Sequence, residues 1–271
     1  MPILSKADHT FFQEHGYLTV PDTMPLENCQ AAITEMCTFL GMEQEDPKTW
    51  YHKNLGSNGI VPIHHPQVFW NNRQHPKIHA IFSELYGTEK LWVTMDRGSF
   101  KPPFRPQLFA KRDDCWLHWD VDPRKAKGTT IQGLLYLTDT EANQGAFEGI
   151  PSIYRSLPAW LRQHKMLYPL EPRIKPDDIV GVSGRAGTLV LWNALLPHRS
   201  GLNHLEKPRF VQYIAMNPVG SEQERQARIK LWKERRVPKH WQGWRYQIEP
   251  EPGEPAVLDA LGRKLLGLDA W

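Results

Sequence analysis

The sequence predicts a mostly β fold with flanking helices, a jelly roll or related double-sheet barrel. Three observations predict it. Short apolar runs alternate with turn residues along much of the chain. The 23 prolines suit turns and edge strands better than a helical bundle. The 271 residues are enough for one large core, and single all-β domains often reach this size. We expect one domain over 1–271. Its barrel core spans about 91–218, supported by helices and strands over 1–90 and by a helical extension over 219–271.

Residues 10–20 read as a short helix that turns at Gly16 into a strand. Leu26, Cys29, Ile33, Met36, Cys37 and Leu40 fall at helical spacing, and Gly41 stops that helix. Residues 44–75 lack a clean period, with turn signals at Asp46-Pro47, 56–59 and His65-Pro66. They read as a pocket rim in which Trp70 and Asn71-Asn72 contact a substrate. His64 and His65 are adjacent, so on an extended chain they face opposite ways, which argues against a joint metal site. Residues 76–86 form a helix with Pro76 in its first turn and Gly87 at its end. Strands follow at 91–95, 116–120, 131–137 and 145–150, and a helix at 157–165. Gln132, Leu134 and Tyr136 share one face of their strand. A Pro- and charge-rich connection occupies 169–178. Strands at 187–192 and 209–216 complete the run. Ser221 and Glu224 make a capping-box pattern for a helix to 236, with a mostly solvated Arg/Lys face. After the Pro-rich link at 249–252, a short helix near 257–266 brings Leu265, Leu266, Leu268 and Trp271 to the body.

The net charge of +3 is too mild to argue for nucleic acid. No run is long enough to span a membrane as a helix, and the N-terminus lacks a signal-peptide apolar core. The three cysteines, Cys29, Cys37 and Cys115, have no framework spacing and read as buried thiols. These features point to a cytoplasmic protein without a membrane partner.

The chemistry centres on Trp116-Leu117-His118-Trp119-Asp120. On a strand, His118 and Asp120 point to one face. A distant histidine, His198, follows an apolar strand and Pro197. Two His and one carboxylate with open positions suit non-haem Fe(II) and oxygen chemistry. Asp122 shares the parity of Asp120, but Asp122-Pro123 looks like a turn and makes it the second choice. Arg209 gives a planar, always-charged fork for the far carboxylate of a keto acid, and Ser200 adds a hydroxyl. Alternatively, Arg209 is a surface residue paired with Glu206.

The chain resembles the phytanoyl-CoA dioxygenase family of Fe(II)/2-oxoglutarate oxygenases over most of 10–218. The resemblance rests on the opening Phe12 to Tyr17, Lys101-Pro102-Pro103, His118-x-Asp120, Gly145 to Ser152, Trp192, and His198-x-Ser200 with Arg209. It implies a double-stranded β-helix, Fe(II) held by His118, Asp120 and His198, and 2-oxoglutarate anchored by Arg209 and Ser200. It further implies Gln132, Leu134 and Tyr136 beside the cosubstrate. The reaction implied uses O2, converts 2-oxoglutarate to succinate and oxidises a small-molecule metabolite. Retention of Asp120 favours hydroxylation over halogenation. There are departures: Trp119 replaces a common Gln, Pro151-Ser152-Ile153-Tyr154 replaces a Pro-Gly-Ser/Thr-His turn, and Leu134 stands at an aromatic position. They argue against simply carrying over a fatty acyl-CoA substrate. Trp119, Arg124, Tyr154 and Trp192 are the expected substrate contacts, with core packing or solvated loop charge as the competing role. A cupin-like metalloenzyme without 2-oxoglutarate and a non-catalytic binding barrel are the alternatives.

Overall fold

Capping chemistry sets the first elements. In the computed structural model, which describes residues 2–51, 59–109, 116–164, 178–236 and 253–271, Ser5 and Asp8 close a capping box at the start of α1 (Lys6–His15). Gly16 ends α1 at φ 76° and turns the chain into β1 (Tyr17–Val20). That left-handed φ favours glycine, and a Cβ there would lie 2.7 Å from the Tyr154 ring. The expected stripe of α2 (Leu26–Leu40) is buried from Cys29 to Leu40, both cysteines included, whereas Leu26 in the first turn is exposed, and Gly41 ends the helix. Next come β2 (Ile60–Val61), α3 (Gln67–Arg73) and α4 (Pro76–Tyr86).

The chain continues through β3 (Leu91–Val93), β4 (Gly98–Lys101), α5 (Pro106–Phe109), β5 (Ile131–Tyr136) and β6 (Phe147–Gly149). Helices α6 (Pro151–Arg155) and α7 (Leu157–Gln163) lead to β7 (Val180–Val182), β8 (Leu189–Asn193) and β9 (His198–Ser200). Strands β10 (Arg209–Tyr213) and β11 (Met216–Pro218) precede α8 (Glu222–Glu234) and α9 (Ala260–Leu266). One sheet has the order β1-β8-β5-β10-β4-β2, a second β7-β6-β9, and a third β11-β3. Their pairings are antiparallel.

Side-chain alternation gives the large sheet two different faces. Ile131, Leu135, Leu189 and Leu191 join the helices in the main core. Leu134, Tyr136, Val190, Trp192 and Val211 face the other way, onto Phe147 and Val182 of the three-stranded sheet. Two antiparallel sheets therefore pack against each other beneath the site.

Several expectations change. Helices hold more of the described residues than strands do, so the fold is mixed rather than mostly β. The sheets end on open edges, with no strand pairing that closes a barrel among the described residues. Residues 116–120 are not a regular strand. They carry one bridge, His118 to His198, before the chain bends at Asp120. Asp122 then caps a turn by accepting from the Arg124, Lys125 and Ala126 amides. The run 209–216 breaks after Tyr213, because β10 pairs with β4 and β5 whereas β11 pairs with β3.

Within α3 the expected pocket rim is largely core, although Asn71 is exposed. Trp70 is fully buried, and Asn72 donates to Gln212 Oε1 at 2.8 Å, clamping α3 to β10. Two helical turns are too short to reveal a period in sequence. The capping box of α8 is present, but Arg228 is not a solvated cation. It donates to the Leu265 and Leu266 carbonyls and helps hold α9. Leu265, Leu266, Leu268 and Trp271 dock as expected. Cys115, turn residues 56–58, Lys165, connection residues 169–177 and the link 249–252 lie outside the described residues. Among the described residues, no helix is long and apolar enough to cross a membrane.

Candidate metal centre

A two-way backbone bridge builds the site. The His118 amide donates to the His198 carbonyl, and the His198 amide donates back, both at 3.0 Å. In such a pair the two side chains project to the same side. The imidazole centroids are 4.7 Å apart. Asp120 completes the group: its Oδ1 lies 3.5 Å from His118 Nε2 and its Oδ2 3.4 Å from His198 Nε2. Donor atoms held by one first-row metal at about 2 Å each lie roughly 3–4 Å apart; both carboxylate–imidazole distances fall in that range, and the three ligand atoms lie within 4.8 Å of one another. This trio is the group of metal-ligating side chains found among the described residues.

The imidazoles are set for ligation. His118 Nδ1 is 3.0 Å from the Trp116 carbonyl and His198 Nδ1 2.9 Å from the Leu196 carbonyl. With Nδ1 donating to a carbonyl, each Nε2 faces Asp120, where it donates to the carboxylate when protonated and can bind a metal once that proton leaves. His198 is buried, with Phe147 and Trp192 rings against it at 5.8 and 5.2 Å. Asp120 is 43% exposed, so the centre opens on that side. Desolvation acts to raise the Asp120 carboxyl, but hydrogen bonds from both imidazoles outweigh it and hold it well below the usual carboxylate range. Desolvation acts to lower His118, yet its bond to Asp120 and that charge carry it above its ordinary value.

A relay supports the carboxylate. Trp192 Nε1 donates to Gln132 Oε1 at 2.9 Å, and Gln132 Nε2 donates to Asp120 Oδ2 at 2.6 Å. Gln132 and Trp192 face each other across the β5–β8 ladder. Beside the trio, Ser200 shares the parity of His198 on β9. Arg209, 1% exposed, donates through Nη2 to Ser200 Oγ at 2.6 Å. Glu206 pairs with Arg105 at 2.6 Å, so the alternative pairing for Arg209 does not form.

The remaining expected site residues divide between the inter-sheet core, where Tyr136 is near enough to feel the Arg209 charge, and positions away from the trio. Leu134 and Tyr136 lie in the inter-sheet core. The Tyr136 hydroxyl donates to the Val182 carbonyl and accepts from the Phe147 amide. Trp119 turns away from its neighbours, packs with Ile150, Ile153, Leu157 and Trp160, and donates to the Leu195 carbonyl. Tyr154 packs on Gly16. Arg124 grips Asp122 through Nε and Nη2, which also removes Asp122 as a ligand. Trp192 alone of the four expected substrate contacts touches a member of the trio.

Sequence reasoning placed Lys101 in a family motif but gave it no role. It is buried opposite Arg209 on the β4–β10 ladder, and its Nζ donates to the Ser200 and Gly201 carbonyls. A lysine closing a strand of small and apolar residues was the available signal.

Two packed antiparallel sheets carrying this donor set define an oxygenase-type metalloenzyme. The chain belongs to the phytanoyl-CoA dioxygenase family, whose model matches residues 12–211. A Dictyostelium discoideum protein assigned as a phytanoyl-CoA dioxygenase is 23% identical over 79% of this chain and 75% of its own length. The solved structure of GlcNAc Inducible Gene 2 from Candida albicans superposes with a TM-score of 0.74 at 14% identity, over 99% of this chain and 77% of that one. The epimerase SnoN, solved with Fe3+, alpha ketoglutarate and a nogalamycin compound, gives a TM-score of 0.56 at 17% identity, over 79% and 83%. The family's cofactors are Fe(II) and 2-oxoglutarate, and the imidazole–carboxylate donor set fits the metal.

Proposed function

We propose that this chain is a single-domain Fe(II)/2-oxoglutarate-dependent dioxygenase that hydroxylates a small-molecule metabolite, with its two packed sheets forming a double-stranded β-helix. The observation that carries the reading is the convergence of His118, Asp120 and His198 beside a buried Arg209–Ser200 pair. Fe(II) with 2-oxoglutarate supplies the oxidising power from O2, with conversion of the keto acid to succinate and CO2. His118, Asp120 and His198 hold the metal. Gln132 fixes the Asp120 carboxylate through one short hydrogen bond, and Trp192 fixes Gln132. Arg209 and Ser200 anchor the far carboxylate of 2-oxoglutarate, as a guanidinium fork and hydroxyl suit. Lys101 holds the backbone that carries Ser200. Phe147 and Trp192 cover His198 and keep water from that side. The prime substrate enters from the exposed Asp120 side.

Oxygen-free protein titrated with Fe(II) and 2-oxoglutarate tests this. A weak visible charge-transfer band should appear in wild type and be absent from His118→Ala. Arg209→Met should need about 10–100-fold more 2-oxoglutarate, the scale of a lost charged hydrogen bond. Bound iron without a band would sink the 2-oxoglutarate assignment. Failure to bind iron would sink the metalloenzyme reading.

A further inference from the structure

A second imidazole pair lies away from the metal centre. His64 follows β2 and is fully buried, with its ring 4.3 Å from that of His65. Neither ring nitrogen of His64 makes a well-aligned hydrogen bond, the Pro62 carbonyl lying only near enough to favour a proton on that ring, and Nδ1 of His65 is unbonded. Nε2 of His65 lies 3.0 Å from the Arg236 carbonyl.

Guanidinium groups surround the pair. Arg73, fully buried at the end of α3, donates through Nη1 to the His64 carbonyl at 2.6 Å and through Nη2 to the Asp96 carbonyl. Its Nε has no partner. The same guanidinium stands 5.1 Å from the centre of the Trp70 ring, whose Nε1 is also unpartnered. The end of α8 adds Trp232 and Arg235, again with buried, unpartnered ring and guanidinium nitrogens. Arg73 and Arg97 sit near enough to His64, and Arg73 and Arg235 near enough to His65, to oppose a proton on either ring. Asp96 is the carboxylate that Arg73 feels, and it is paired with Arg97 at 3.3 Å.

Orphaned donors of this kind are costly. A buried polar group left unbonded loses the hydrogen bonds it made to water, and folded proteins leave few such groups. Water can supply hydrogen bonds but not the missing negative charge. A small oxyanion supplies both, and arginine is the side chain best suited to it. We propose that His64, His65, Arg73 and Arg235 form a second ligand site, for a small oxyanion of carboxylate or phosphate type. The site is distinct from the metal centre. Arg97 precedes β4 at this end, whereas Lys101 closes β4 beside Arg209, four residues or about 13 Å along the strand. The proposal stands whether or not the metal centre works as argued above.

The test uses the full chain labelled with 15N-histidine. Inorganic phosphate and acetate are titrated separately, against chloride at equal ionic strength. The His64 and His65 ring signals should shift and saturate with at least one oxyanion, and the midpoint of thermal unfolding should rise with it. A response to phosphate alone or to acetate alone identifies the source class. His64→Leu keeps the site apolar and packed, and should weaken the binding by about tenfold or more. Arg209→Met should leave the response intact, which separates this site from the cosubstrate anchor. Ring signals unmoved by both oxyanions overturn the proposal, with the orphaned nitrogens then facing water alone. So does a response that survives His64→Leu but disappears in Arg209→Met.

Discussion

Two histidine pairs of nearly equal spacing, 4.7 Å for His118 and His198 and 4.3 Å for His64 and His65, sit in opposite surroundings. In the first, a backbone bridge aims both rings one way, carbonyls occupy both Nδ1 atoms, and a carboxylate meets both Nε2 atoms. In the second, the rings are sequence neighbours, three ring nitrogens lack a well-aligned hydrogen bond, and the nearby charges are cationic. Closeness of imidazoles does not define a metal site. The sign of the neighbouring charge and the use made of the second nitrogen decide what a pair can hold.

The largest effect expected from breaking this contrast is at Asp120. Asp120→Ala turns the first pair into two imidazoles with no carboxylate, and bound iron measured by elemental analysis should fall to background. The same measurement on His64→Leu should show no change, because that pair holds no metal.

Opposite pH slopes come next. Burial lowers His64 to about 2 and His65 to about 4, from 6.5 in the unfolded chain. The unfolded state then binds more protons between those values. Stability is therefore full above pH 6.5 and is lost as pH falls towards 4, by about 2–3 kcal/mol from His65 alone at pH 4.5. His118 is raised, so in metal-free protein its pairing with Asp120 contributes below pH 6.5 and is lost as pH rises through the raised value. Urea midpoints across pH for His65→Phe and His118→Ala should show these slopes vanishing in opposite ranges. Slopes of the same sign would break the comparison.

The smallest effect sharpens the first pair alone. Gln132→Leu keeps all three ligands but removes the 2.6 Å bond to Asp120. Iron affinity should fall by about 10–100-fold, as for other outer supports of metal ligands, without loss of fold by circular dichroism.

Much of this arrangement is legible in sequence where one residue type has one job. Gly41 and Gly87 mark helix ends, and Ser221 with Glu224 marks a start. Family membership follows from motifs at fixed spacing, and the same motifs single out His118, Asp120, His198, Ser200 and Arg209, which the fold brings near one another. What stays hidden depends on partners distant in sequence. Trp70 and Asn72 look like rim residues until α3 is seen bonded to Gln212. Trp119 looks like a pocket wall until its ring is found among α6 and α7 side chains. Arg124 looks free until Asp122 folds back on it. The strand expected at 116–120 shrinks to one bridge because Asp122 begins a turn almost at once.

That single bridge has a mechanical consequence. Segment 116–120 meets β9 of the three-stranded sheet at one residue pair, and Asp120 meets β5 of the six-stranded sheet through one side chain. On the proposed assignment, a metal gripped by His118, Asp120 and His198 would act as a rivet through three separately anchored pieces of chain. Ligands that bind only the folded state raise its stability by mass action. On that assignment, iron supply would govern how long the molecule survives as well as whether it turns over.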